Sequence, residues 1–174
     1  FGQKELYGLA YRTDFDLKNH EKLSGQNLKY KDPETGEEFW PHVIAPTFGL
    51  GRSVLVALLE AYSEDGDRTV LKLPPKIAPY KVAIFPLLAN KPELVKLAKS
   101  VYDDLRMHFM TAWDDRGNIG KRYYSQDEIG TPFCVTVDFD SLEDKKITIR
   151  DRDTMKQERI SISKLAEYFN KKLN

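Results

Sequence analysis

Gly49 and Gly51, followed by Arg52, stand between an apolar run, Pro41-His42-Val43-Ile44-Ala45-Pro46-Thr47-Phe48, and a segment patterned as a helix, Ser53 to Tyr62. Glycine lets a backbone come close to a ligand or to another strand. Arginine at a helix start lies where unpaired N–H groups and the helix dipole already favour an anion. Together they could grip the phosphates of a nucleotide. The same residues also read as packing glycines at a strand–helix turn.

Two further groups could do chemistry. Arg12, Asp14, Asp16 and His20 form a dense polar cluster. Asp-x-Asp with a nearby histidine can hold a metal, but a lone set without further ligands is more often a hydrogen-bonded structural turn. Lys121, Arg122, Tyr123 and Tyr124 combine positive charge with aromatic faces, which suits phosphates and splayed-out bases. Arg150-Asp151-Arg152-Asp153 alternates in sign at a strand end. It fits RNA contact or an internal ion-pair network equally well. His42 and His108 are isolated and read as structural.

The elements that must position these residues fall into two sets. A strand is predicted over residues 2–11, with residues 19–27 irregular or briefly helical. Asp32-Pro33-Glu34-Thr35-Gly36 marks a hairpin turn between extended segments at 27–30 and 38–48. The next helix is predicted to start at Ser53 as its N-cap, to bury Val54, Leu55, Leu58 and Leu59, and to end at residues 63–67. A short strand at 69–73 then meets Pro74, Pro75 and Pro79, which read as a stiff linker. Beyond it the rhythm alternates. Strands are predicted at 82–88, 109–113, 133–139 and 146–150, with a turn at 141–145. Helices are predicted at 92–107, 119–126 and 161–172. This pattern predicts a three-layer, mixed-sheet α/β domain.

The chain has 174 residues, long enough to bury a core in one large or two small domains. Lys plus Arg and Asp plus Glu both total 27, so a nucleic-acid partner would have to be met by charge gathered on one face. A single cysteine, Cys134, excludes an intrachain disulfide and reads as a buried core thiol. No apolar run approaches the ~20 residues of a membrane span, and no signal peptide is visible, so a soluble cytoplasmic protein is expected. Phe1 is not an initiator methionine, and the chain reads as if entered in mid-domain.

Strand-Pro-x-Phe-Gly-Leu-Gly-Arg followed by a helix resembles motif 3 of the class II aminoacyl-tRNA synthetases. Glu5-Leu6-Tyr7-Gly8-Leu9-Ala10-Tyr11-Arg12-Thr13-Asp14-Phe15-Asp16-Leu17, with His20 close behind, and Leu73-Pro74-Pro75-Lys76-Ile77-Ala78-Pro79-Tyr80-Lys81-Val82 resemble stretches of the glycyl-tRNA synthetase family. Gly117-Asn118-Ile119-Gly120-Lys121-Arg122-Tyr123, Asp127-Glu128-Ile129-Gly130-Thr131-Pro132-Phe133 and Arg150-Asp151-Arg152-Asp153-Thr154-Met155 resemble that family's anticodon-binding domain. The blocks stand in the family's order and cover nearly the whole chain.

The resemblance implies part of a class II antiparallel-sheet catalytic domain at 1–73, a linker at 74–79 and an anticodon-binding domain at 80–174. It implies ATP binding by Glu5, Leu6 and Arg52, with Arg52 the catalytic residue. It implies a glycine pocket at Ala45, Pro46 and Thr47, and tRNA contact at Lys121, Arg122, Tyr123, Arg150 and Arg152. No metal ligands are implied, and Mg2+ would be held mainly by the nucleotide. Expected partners are tRNA(Gly), glycine and ATP, with homodimerisation of the full-length enzyme and no membrane. One position departs from the family: its usual Glu-Pro-Ser is here Ala45-Pro46-Thr47. The missing carboxylate would bind the α-ammonium of glycine. Ala45 therefore admits an engineered change, a paralogue that no longer activates glycine, or rescue by another carboxylate. The function expected is a glycine–tRNA ligase fragment, inactive alone. The alternative is a non-catalytic RNA- or protein-binding module on the same scaffold.

Overall fold

A computed structural model describes residues 2–173, and they divide into two compact units that meet between Val56 and Ala57. In the first, β1 (Tyr7–Thr13) leads into α1 (Phe15–Ser24). A short hairpin, β2 (Tyr30–Lys31) and β3 (Glu38–Phe39), follows. Then come β4 (Val43–Phe48) and α2 (Leu50–Ala61), whose last residues belong to the second unit. β1 and β4 form a two-stranded antiparallel ladder with Gly8 opposite Thr47 and Ala10 opposite Ala45.

Three expectations change here. The first strand starts at Tyr7, not at residue 2. Of the stretch at 19–27 read as irregular or briefly helical, residues 25–27 are irregular, and 19–24 belong to a ten-residue helix that begins at Phe15. Ion pairs spaced i,i+4, Arg12–Asp16 and Lys18–Asp14, support its start, and Gly25 closes it in the left-handed conformation. α2 begins at Leu50, so Ser53 lies inside its first turn and donates to the Gly49 carbonyl instead of capping. Val54, Leu55, Leu58 and Leu59, predicted to be buried, are 52, 38, 41 and 67% exposed. The apolar periodicity is genuine, but these four positions stay exposed among the described residues.

The second unit begins with the hairpin β5 (Tyr62–Asp65) and β6 (Arg68–Leu71). It continues as β7 (Val82–Pro86), α3 (Pro92–Leu105), β8 (Thr111–Trp113), α4 (Ile119–Ile129), β9 (Phe133–Val137) and the short α5 (Asp140–Asp144). β10 (Lys146–Asp151), β11 (Gln157–Ser161), a 3-10 turn (Ile162–Lys164) and α6 (Leu165–Leu173) complete it. Five strands form one mixed sheet in the order β11-β10-β9-β7-β8. β7 runs parallel to β8 and β9; β10 is antiparallel to β9 and β11.

β7 and β9 are buried along their whole length, which is why both read as continuous apolar runs. Val82, Ile84, Val135 and Ile149 pack with α3 and α6 residues on one face, while Ala83, Phe85 and Cys134 meet Ile119 and Tyr123 of α4 on the other. The three-layer α/β architecture is therefore as the sequence predicts. β5 stands where the helix end is expected and α5 where a turn is expected, and β11 is largely exposed, with no apolar alternation to signal it.

The second compact unit starts earlier than the boundary expected at residue 80. Arg68 of β6 reaches Asp127 of α4, and Arg152 donates to the carbonyls of Leu71 and Leu73. Residues 74–78 form an internally bonded turn. Ile77 and Ala78 donate back to the Pro74 carbonyl, and the Lys81 ammonium caps the carbonyls of Pro75, Lys76 and Ala78 at 2.7–2.9 Å.

Candidate functional site

In the first unit the period-two alternation of the ladder sends Gly8, Ala10, Ala45 and Thr47 to one face. A cleft of about 550 Å³ opens on that face, lined by Arg12, Asp16, His20, Ala45 and Thr47 among others. Arg12 and Asp16 form a two-pronged ion pair: Nη2 donates to Oδ1 at 2.8 Å, and Nε donates to Oδ2. The hydrogen bond from Arg12 holds the Asp16 carboxyl below its ordinary range, and the same bond raises Arg12. Pro46 stands opposite Leu9 on the other face, so Ala45 and Thr47 alone of the three glycine-pocket candidates front the cleft.

Glu5 joins this face through the space above Gly8. A Cβ on Gly8 would lie 2.9 Å from Glu5 Oε1 and 3.3 Å from Thr47 Oγ1, so glycine lets the carboxylate and hydroxyl approach here, and a larger residue would push the Glu5 side chain aside. This small cradle carries an anionic acceptor where Ala45 offers none.

The Gly-Leu-Gly-Arg turn locks onto the same strand. The Gly49 amide donates to the Leu6 carbonyl at 3.0 Å, and a Cβ on Gly49 would sit 3.0 Å from that oxygen. Arg52 Nη1 donates to the Glu5 carbonyl, and the Tyr7 hydroxyl shares a hydrogen bond with Ser53 Oγ at 3.1 Å. The structure thus brings together Glu5, Leu6 and Arg52, which the sequence reading grouped. Nε and Nη2 of the exposed Arg52 make no hydrogen bond with the described residues, leaving a planar cationic edge suited to a phosphate.

In the second unit the expected RNA-contact residues separate. Lys121 is exposed and Tyr123 is half-buried, its hydroxyl hydrogen-bonded to Thr136 at 2.6 Å. Arg122, Arg150 and Arg152 are only 2, 6 and 2% exposed. Arg122 donates to four backbone carbonyls, and Arg150 pairs with Asp127 and lies 4.9 Å over the Tyr123 ring. Arg152 donates to the carbonyls of Leu71, Leu73 and Gly130 and to Asp153. For Arg150 and Arg152 the geometry is that of the ion-pair network. Asp127, fully buried between Arg68 and Arg150, is its centre and was not singled out from sequence, where an acid on a helix carries no sign of burial.

The carboxyl ends of the parallel strands present different groups. Arg116, after β8, has 87% of its side chain exposed, and Phe139, after β9, is 44% exposed. Ligands in open α/β sheets gather at such ends, and that rule would have found both residues.

Cys134 is buried, and burial pushes its thiol far up, away from nucleophilic character. Among the described residues no group of three His, Cys, Asp or Glu side chains could hold a metal ion, and no helix is long and apolar enough to cross a membrane. His42 accepts or donates at the Tyr11 hydroxyl.

The second unit is a mixed sheet between helices, with Arg68, Arg122, Arg150 and Arg152 drawn inward. Residues 81–172 match the family described as "Anticodon binding domain", and the chain belongs to that family. It is 51% identical to the glycine–tRNA ligase of Streptomyces coelicolor over 97% of its own length and 50% identical to that of Caldanaerobacter subterraneus over 99%. In both cases the chain spans 38% of the length of the relative. A solved prolyl-tRNA synthetase from Cryptosporidium parvum, complexed with L-proline and AMP, covers 89% of the chain with a TM-score of 0.70 and 26% identity, the match taking up 31% of that protein.

Proposed function

We propose that the chain works as part of a longer glycine–tRNA ligase, supplying one wall of the ATP and amino-acid site and an anticodon-reading domain. The observation that carries this reading is Arg52, fastened to the Glu5 carbonyl with its remaining donors turned outward. ATP would meet Arg52 through its terminal phosphates, while Leu6 and Glu5 border the nucleotide with their backbone. Mg2+ would be held mainly by the nucleotide. The glycine carboxylate attacks the α-phosphorus, pyrophosphate leaves, and a ribose hydroxyl at the tRNA 3′ end then displaces AMP from the glycyl carbonyl. No covalent enzyme intermediate is needed: clamping of phosphates and orientation do the work. The relatives' names and the nucleotide in the prolyl-tRNA synthetase support ATP as substrate. A cytoplasmic setting and a homodimer for the longer protein belong to the same reading, and the exposed apolar face of α2 fits coverage by its remaining chain.

With no side chain at Ala45 to meet the glycine ammonium, Glu5 and Thr47 take that role, since their oxygens converge above Gly8. In the second unit RNA is met at the carboxyl ends of β8 and β9, by Arg116 and Phe139, together with exposed Lys121 and Tyr124. Buried Arg122, Arg150 and Arg152 shape that surface from below. Ala45 also favours a second reading, a non-catalytic RNA- or protein-binding module.

Glycine-dependent ATP–pyrophosphate exchange by the full-length source protein separates the two. Exchange with Ala45 as found, lost about a hundredfold or more in Glu5→Gln, supports the ligase with Glu5 as ammonium partner. Silence cured by Ala45→Glu marks a disabled pocket on a ligase. Silence in both leaves the binding module.

A further inference from the structure

Arg122 is a buried cation with no carboxylate in hydrogen-bond contact among the described residues. Its Nε donates to the Arg116 carbonyl at 2.9 Å, and its Nη2 donates to the carbonyls of Asp115 at 3.0 Å and Gly117 at 2.8 Å. Nη1 donates to the Pro86 carbonyl at 2.6 Å. Three consecutive carbonyls of the loop between β8 and α4 therefore wrap one guanidinium, whose fourth bond fastens them to the end of β7. A planar fork can serve four oxygens in two directions; an ammonium on the same stem cannot. What the wrapped loop presents outward is the Arg116 side chain, steadied by Asp114, which accepts from both its amide and its Nε.

We propose that Arg122 is a positioning residue for RNA, acting through this loop and never touching the ligand: it fixes the backbone that aims Arg116 at the phosphates beside the strand ends. The inference rests on the reading of that edge as the RNA-binding surface. Arginine at 122 is thus required for its shape, and its charge is spent on the protein.

The test uses the whole chain and two probes, an unmodified glycine tRNA transcript and its anticodon stem-loop, across a salt series. Arg116→Ala is expected to weaken binding about tenfold and to reduce the salt slope by about 0.7. Arg122→Lys keeps formal charge, yet is expected to give the same loss and the same slope change, with no further loss when combined with Arg116→Ala. Additive losses, or wild-type binding by a folded Arg122→Lys protein, overturn the inference. Wild-type binding by Arg116→Ala instead overturns the reading of the RNA edge. Where Arg122→Lys does not fold, Gly117→Ala, which strains the loop at φ +60 and leaves the Arg122 side chain in place, stands in. Undiminished binding by that variant also overturns the inference.

Discussion

The Gly49 amide donates to the Leu6 carbonyl at 3.0 Å, joining the turn that carries Arg52 to the strand that carries Glu5. The contact leaves no room for a side chain, because a Cβ at 49 would stand 3.0 Å from the same oxygen. Gly49→Ala must therefore part the two backbones or bend one of them. The expected outcome in the full-length protein is a raised KM for ATP with a destabilisation of about 1–3 kcal/mol, read by exchange kinetics and denaturant unfolding.

Removal of the charge at the centre of the buried triad is expected to cost far more. Asp127→Ala leaves Arg68 and Arg150, each about 6% exposed, without their shared partner. A loss of about 3–5 kcal/mol should appear in urea unfolding of the second unit.

Lys81 holds three carbonyls of the 74–78 turn. Lys81→Met keeps the apolar stem and removes the cap, costing about 1–3 kcal/mol. Hydrogen exchange at the Ile77 and Ala78 amides should accelerate while β7 stays protected.

Burial opposes ionisation of Asp138, but hydrogen bonds from Ser141 and Arg159 outweigh it and hold the carboxyl below its ordinary 3.8. A depressed folded value means stabilisation that is present above 3.8 and lost as pH falls through the folded value. Acid unfolding followed by circular dichroism should steepen below pH 3.8, and Asp138→Asn should flatten that part of the curve.

Cys134, buried and with its thiol pushed up, should resist iodoacetamide in the native protein and react only as fast as the second unit opens. Labelling at native rates comparable to a free thiol would refute the buried assignment.

How much of this could be read from sequence depends on which interactions decide each residue. β7, α3 and β9 were legible because burial on both faces, or on one helical stripe, writes a period into residue types. The pattern in α2 was equally clear, yet the described residues leave its apolar positions in water; periodicity tells which side wants cover and nothing about where the cover comes from. Arg122, Arg150 and Arg152 look alike as text. Their inward turn depends on Asp127 and on carbonyls far along the chain, which no local spacing encodes. The meeting of Glu5 with Thr47 was hidden for the same reason, since it needs the ladder register that sets Gly8 opposite Thr47.

Arg68 and Asp127 lie 59 residues apart in sequence, and Arg150 lies 23 residues beyond Asp127. Large chain loops must close before either arginine meets its acid, so entropy is spent well before the charges repay it. The β5–β6 hairpin is therefore expected to dock after the β7–α3–β8 unit has formed from nearby contacts. During synthesis, Arg68 leaves the ribosome early and must wait as a solvated cation until the helix bearing its partner has emerged.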